Sequence, residues 1–198
     1  DFPPGTFDLA VFALSSWHMA SPQVLSKLFE RVRPWAKRLA YADWSLKPSH
    51  VSQTAHLVAA LLQAHVRTVW AEPPPGDIYS LVLPDQARSM AEAGGWRILW
   101  DDTSEISNDL EDGRMWEISH AFWMGEELDR SEDSGVGNKA RETISSELQL
   151  LADLCDDAQV DWLMTTDLAE ASKQRFERDS SRMVGPNMSL PTYVFLAE

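Results

Sequence analysis

Residues 7–14 form an almost wholly apolar run, broken by the single charge of Asp8 and introduced by the turn chemistry of Pro3-Pro4-Gly5. Such a run predicts a β-strand covered on both faces, and strands of that kind are central in their sheets, so neighbours must follow. Residues 21–44 read as a helix and then a second apolar strand, which makes the opening a β-α-β unit and the fold class α/β. The first residue is Asp1 rather than Met, directly in front of that strand, and we read the chain as a fragment that starts inside a fold.

The alternation continues along the chain. Ser21 places a capping hydroxyl before Pro22, and Val24, Leu25, Leu28, Phe29 and Val32 then recur on one helical face. Pro34 ends that helix, and residues 38–44 form a partly buried strand. A second amphipathic helix is expected over residues 51–64 from Ala55, Leu57, Val58, Leu61 and Leu62, followed by a loop or lid around Pro73-Pro74-Pro75-Gly76. Pro84 opens a third helix that Gly94-Gly95 closes before a strand over residues 96–101. An acidic stretch with Trp116, Phe122 and Trp123 at helical spacing comes next. Ala140, Ile144, Leu148, Leu151 and Leu154 then mark a long helix, and a charged, weaker one is expected over residues 167–178. Residues 191–197 read as a closing strand.

With 198 residues and 44% hydrophobic composition, the chain suits one soluble domain, and it carries no apolar stretch of membrane-spanning length and no signal-peptide pattern. The expected location is cytoplasmic, with no membrane partner. A net charge of −14 would repel a phosphate backbone, so nucleic acid is not expected as a partner. The densest basic group, Lys27, Arg31, Arg33, Lys37 and Arg38, reads as a solvated face. The single cysteine, Cys155, excludes an internal disulfide and reads as a small core residue on an apolar helical face. The histidines at 50, 56, 65 and 120 show no ligand spacing, so no metal is expected.

Several short motifs, in order, resemble the second half of a class I S-adenosylmethionine-dependent methyltransferase. In that family a turn of the type Pro-Phe-Pro-Asp-Gly-Ser-Phe-Asp leads into the fourth sheet strand, and Phe2-Pro3-Pro4-Gly5-Thr6-Phe7-Asp8 is similar. Val32-Arg33-Pro34-Trp35-Ala36-Lys37-Arg38-Leu39 resembles the family's Leu-Lys-Pro-Gly-Gly-Arg-Leu approach to the fifth strand, with Trp35-Ala36 in place of two glycines. Ala91-Glu92-Ala93-Gly94-Gly95-Trp96-Arg97 is similar to the helix end before the sixth strand, and residues 192–197 to the closing antiparallel strand. The resemblance covers residues 2–101 and resumes at the end.

It implies a partial Rossmann-like methyltransferase sheet, strands four to seven, with helices on both faces and a helical insertion. The expected organisation is one domain over residues 1–198, N-terminally incomplete, with residues 107–182 as the insertion or lid. The family's glycine-rich strand-turn-helix and its ribose-holding acid both precede the fourth strand and have no counterpart here. Gly135-Val136-Gly137 follows an acidic loop rather than a strand and reads as the turn that starts a helix.

Ligands of open α/β sheets lie beyond the C-terminal ends of the strands, here residues 13–18 and 43–44. By resemblance, Ala13, Leu14, Ser15 and Trp17 would lie against the methionine end of S-adenosylmethionine, the implied cofactor. His18 is the candidate general base, because the ordinary imidazole pKa lies near physiological pH; a loop histidine bonded to backbone is the alternative. Asp43 and Trp44 are candidates for the substrate side, with capping and core packing as their plain alternatives. Methyl transfer asks mostly for alignment and exclusion of water, so few catalytic side chains are required.

The function expected is S-adenosylmethionine-dependent methyl transfer to a small organic acceptor at O, N or C. A non-catalytic methyltransferase-like module that binds a protein partner is the alternative, and a protein methyltransferase using residues 107–182 is a third reading. The tryptophan-containing acidic helix over residues 111–124 reads as sheet packing, a lid or a homodimer face.

Overall fold

The computed structural model of the protein describes residues 2–72, 78–104, 112–131, 135–155 and 189–198. The helix expected over residues 167–178 and the Pro73–Gly76 loop lie outside the described residues. The chain divides into two compact units, one made of Asp1–Ser49, Asp77–Ile106 and Leu190–Glu198, the other of His50–Gly76 and Ser107–Ser189.

The first unit is a four-stranded sheet. Its strands are β1 (Phe7–Ala13), β2 (Ala36–Trp44), β3 (Ile98–Ser104) and β4 (Thr192–Ala197), in the order β1-β2-β4-β3. β1 and β2 run parallel, with Ala13 opposite Ala42, whereas β4 is antiparallel to both β2 and β3. The parallel pair is joined by helix α1 (Pro22–Val32), and helix α3 (Pro84–Ala93) leads into β3. The capping hydroxyl expected of Ser21 makes no side-chain bond to the helix; proline at the first helical position supplies the start.

Period-two alternation sorts the sheet into two faces. On one, Ala10 and Phe12 of β1, Leu39 and Tyr41 of β2 and Phe195 and Ala197 of β4 pack with Leu25 and Phe29 of α1 and Ala87 and Ala91 of α3. Phe29 is the hub, with edge-on ring contacts to Phe12, Tyr41 and Phe195. Burying a side chain of this size contributes about 1.5–3 kcal/mol. The opposite face carries Leu9 and Val11, both exposed. Helices on both faces were expected; the two helices of this unit share one face because both present their apolar stripes to the Phe29 cluster. β1, expected to be central, pairs on one side only among the described residues and is an edge strand of this four-stranded sheet. Its apolarity forecasts faces fit for covering and carries no information about pairing.

The ends of α1 and α3 are locked together. Gly94 lies so close to α1 that a methyl there would stand 3.3 Å from the Glu30 nitrogen, and Gly95 takes φ +85°. The Arg33 guanidinium covers the Trp96 ring at 4.6 Å and donates from Nε to the Gly95 carbonyl. Where the resembling family has two glycines, Trp35 instead closes the turn through its N–H to the Val32 carbonyl and packs edge-on against Phe2. The basic residues of this region are thus partly structural, since Lys37 also pairs with Asp8 at 2.8 Å.

The second unit is helical. Helix α2 (Thr54–Val69) follows a single 3-10 turn, Val51–Gln53, and runs five residues past the predicted end at residue 64 before closing at Trp70. It packs with α4 (Asp112–Arg130) and α5 (Asn138–Leu154) around Leu62, Val66, Ile118, Met124 and Leu151. Gly135 takes φ +71° and Gly137 caps α5, so the G-x-G pair starts a helix as its context indicated. Cys155 is buried in this core. No helix among the described residues is long and apolar enough to cross a membrane.

Candidate functional site at the strand ends

The parallel register of β1 and β2 brings the two predicted segments together, because Ala13 stands opposite Ala42 and the chain leaves both strands at the same edge of the sheet. The last ladder bond runs from the Leu14 N–H to the Ala42 carbonyl at 2.8 Å. Leu14 then takes φ +46°, the one non-glycine residue with positive φ among those described. For a leucine that conformation costs about 1–2 kcal/mol, and it turns the chain sharply away from β2. Ser15 follows, then a 3-10 turn over Ser16–His18.

That turn is fixed from beneath by Asp43. One carboxylate oxygen, Oδ2, accepts the Ser16 backbone N–H at 2.8 Å and the Ser16 hydroxyl at 2.6 Å. The other, Oδ1, accepts the Trp44 N–H at 2.9 Å. The Ser16 hydroxyl also lies 3.1 Å from the Tyr41 hydroxyl. Asp43 is only 2% exposed, and burial pushes its carboxyl above the ordinary carboxylate range, against the opposing pull of the Ser16 and Trp44 hydrogen bonds. Burial also raises the Tyr41 phenol, with the Asp43 charge as the second cause. A strap crosses the other side of the turn: Tyr79 and Ser80 donate their N–H groups to the Trp17 carbonyl, at 2.7 and 3.3 Å, and the Ser80 hydroxyl donates to Met19.

Of the residues singled out in the sequence, Ala13, Leu14 and His18 are exposed, Ser15 is half-buried, and Trp17, Asp43 and Trp44 are buried. All lie at the ends of the two parallel strands. The sequence offers Ser15 and Ser16 as donors to a carboxylate or as turn residues, and Ser16 does both, with Asp43 as the carboxylate; Tyr41, Tyr79 and Ser80 were not anticipated. Tyr41 carried a usable signal, since a buried polar residue two places before Asp43 on one strand shares its face; the strap at residues 79–80 carried none.

The remaining histidines belong to other structures. The His50 ring accepts the Ser52 N–H and its backbone N–H donates to Gln53, forming a capping box. In the helical unit His56 Nε2 stands 3.7 Å from Glu117 Oε2, and His65 Nδ1 2.9 Å from Glu147 Oε2. His120 lies between Trp116 and Trp123. Among the described residues no three such side chains come together as a metal site.

No protein-family model matches the chain, and no curated protein matches it. Solved structures do. A cyclopropane-fatty-acyl-phospholipid synthase-like protein from Lactobacillus casei superposes with a TM-score of 0.66 at 19% identity, over 96% of this chain and 55% of that one. The chain has a class I methyltransferase-like fold. Its sheet is mixed, open and four-stranded, and the antiparallel β4 between β2 and β3 agrees with strands four, five, seven and six of such a sheet. The SpnF 4+2 cyclase also matches, with a TM-score of 0.36 at 10% identity over 99% of this chain and 50% of that one, which is too low to carry an argument. The chain therefore spans about half the length of the solved structures it matches.

Proposed function

We propose that the methyltransferase-like fold of this chain serves S-adenosylmethionine-dependent methyl transfer to a small organic acceptor. The observation that carries the reading is the strained Leu14 connection at the C-terminal ends of β1 and β2, where open α/β sheets place their ligands. The donor supplies an electrophilic methyl group when bound. Ala13, Leu14 and Ser15 offer exposed or half-buried backbone and one hydroxyl to its methionine portion, and Trp17 backs them. The fit is one-sided. Asp43 is not turned to the ribose hydroxyls, because it is buried and bonded to Ser16 and Trp44. Trp44 stands behind the acceptor side, and the exposed His18 is placed to take a proton from an acceptor hydroxyl. A cytoplasmic location and a small-molecule substrate belong to the same proposal.

A titration of the chain with S-adenosylmethionine, followed by backbone amide resonances, tests it. Millimolar binding with shifts concentrated at residues 13–18 is the expected result; no shift at these residues over the millimolar range would defeat the reading. A second reading, a non-catalytic module that binds a protein partner, is favoured by the exposed Leu9 and Val11 on the face of β1. Shifts confined to that face on addition of a partner, with none from the donor, would select it.

A further inference from the structure

The Asp43 carboxylate is buried, and it accepts hydrogen bonds from backbone and side-chain donors of the two strand-end connections. A residue there for its charge alone would face the ligand, and one there for packing alone would be apolar, since burying a carboxylate is costly unless hydrogen bonds compensate. The geometry also excludes the near-isosteric amide as an equivalent. Both oxygens accept from backbone N–H groups, Oδ2 from Ser16 and Oδ1 from Trp44, so an asparagine must turn its NH₂ toward one of these donors. Between the last ladder bond at Leu14 and the strapped carbonyl of Trp17, the chain is anchored on β2 through Ser16, whose backbone N–H and hydroxyl both bond Asp43 and whose hydroxyl also reaches Tyr41.

We propose that Asp43 is a positioning residue: acting through Ser16, it holds the Leu14–Trp17 connection in its strained form before any ligand arrives. The proposal rests on the methyl-donor reading and deepens it, because a connection set in advance spares the bound donor the entropy of ordering it. Asp43 itself then touches neither donor nor acceptor. Leu14 keeps its unfavourable φ because the Ala42 carbonyl holds its N–H on one side and Asp43 holds Ser16 two residues on. Without the second hold, the segment is free to relax toward negative φ.

The test compares the chain with its Asp43→Asn and Ser16→Ala variants by amide hydrogen exchange and by S-adenosylmethionine titration. Asp43→Asn should raise exchange at Ser16, Trp17 and His18 by about tenfold or more while the β2 and β4 amides stay protected. It should weaken donor binding by about tenfold, the loss of one charge-assisted hydrogen bond. Ser16→Ala removes the hydroxyl and its contacts to Asp43 and Tyr41 but keeps the N–H bond to Asp43, so its exchange should fall between that of the parent and Asp43→Asn, and it serves as the test if Asp43→Asn does not fold. Unaltered exchange at residues 16–18 in the variants overturns the positioning role, as does loosened exchange with unaltered donor affinity. Absence of donor shifts in the parent chain overturns the methyl-donor reading instead, and with it the claim that the connection is set for a donor.

Discussion

Asp43 and Ser16 lie 27 residues apart in sequence, yet the Asp43 carboxylate accepts both the backbone N–H and the hydroxyl of Ser16, at 2.8 and 2.6 Å. This contact joins the C-terminal ends of two parallel strands through side chains where the ladder itself has stopped. It also ties the most strained backbone position of the sheet to its most buried charge, and the consequences of the two can be measured separately.

Burial is the leading influence on Asp43 and raises its pKa in the folded protein above that in the unfolded chain. Between the ordinary value, about 4, and the raised one, the folded state holds more protons than the unfolded state. Stability from this group is therefore present at low pH and falls as pH rises through that window. The unfolding free energy of the parent chain relative to Asp43→Asn should accordingly decline as pH increases from about 4, and then level. Urea unfolding of both proteins across that range measures the difference; a relative stability that grows with pH would contradict the assignment.

Leu14 tests the strain directly. Glycine adopts φ +46° without the clash that leucine meets there, so Leu14→Gly recovers about 1–2 kcal/mol of strain and gives back about 0.5–1 kcal/mol in unfolded-chain entropy. The expected net result is a stabilisation of up to about 1.5 kcal/mol, helped by the fact that the lost side chain is already exposed. Leu14→Val should move the other way, because a β-branched residue resists positive φ more strongly. A melting temperature lowered by the glycine variant would show that Leu14 is held by contacts rather than tolerated despite its backbone.

The sequence made the elements legible to different depths, for physical reasons. The helix α1 could be placed from Pro22 and the spacing of Leu25 and Phe29, because a 3.6-residue period reports which side must be buried. The same apolar logic found β1 and overstated it: Leu9 and Val11 read as covered, but strand hydrophobicity describes faces and not which edges are paired. Asp43 was legible as a strand-end acid and illegible as a buried one, since its partner Ser16 belongs to another strand end. Leu14 gave no signal at all, because positive φ is advertised by glycine or asparagine and not by leucine. The histidines show the same limit. Spacing within one helix was uninformative for His56 and His65, whose carboxylates stand on α4 and α5.

Packing of the helical unit depends on a glycine that the sequence reading passed over. Gly125 lies inside α4 where a methyl group would overlap the side chain of Leu148 on α5. Gly125→Ala gains about 1 kcal/mol in helix propensity but must displace that leucine, and overpacking of this kind costs about 1–3 kcal/mol. The variant should be destabilised, and Leu148→Ala in the same chain should recover part of the loss by vacating the space. Denaturant unfolding of the two single variants and the double gives the coupling; strict additivity would mean the two helices separate freely at this point.

His56 and Glu117 pose the last question of the helical unit, whether a buried pair stabilises or only specifies. His56 is fully buried and Glu117 is 7% exposed, with 3.7 Å between Nε2 and Oε2, while Gln63 donates to the Glu117 carbonyl at 2.7 Å. Removing one member of such a pair takes a partner from the other in a medium that solvates it poorly, at a cost of about 1–3 kcal/mol, whereas replacing both by apolar residues is often neutral or favourable. His56→Leu and Glu117→Leu should therefore each be destabilising and the double variant less so than their sum. The coupling is read from unfolding free energies of the four proteins. A double variant as unstable as the sum of the singles would show that each side chain is held by its own surroundings and that the 3.7 Å contact contributes nothing.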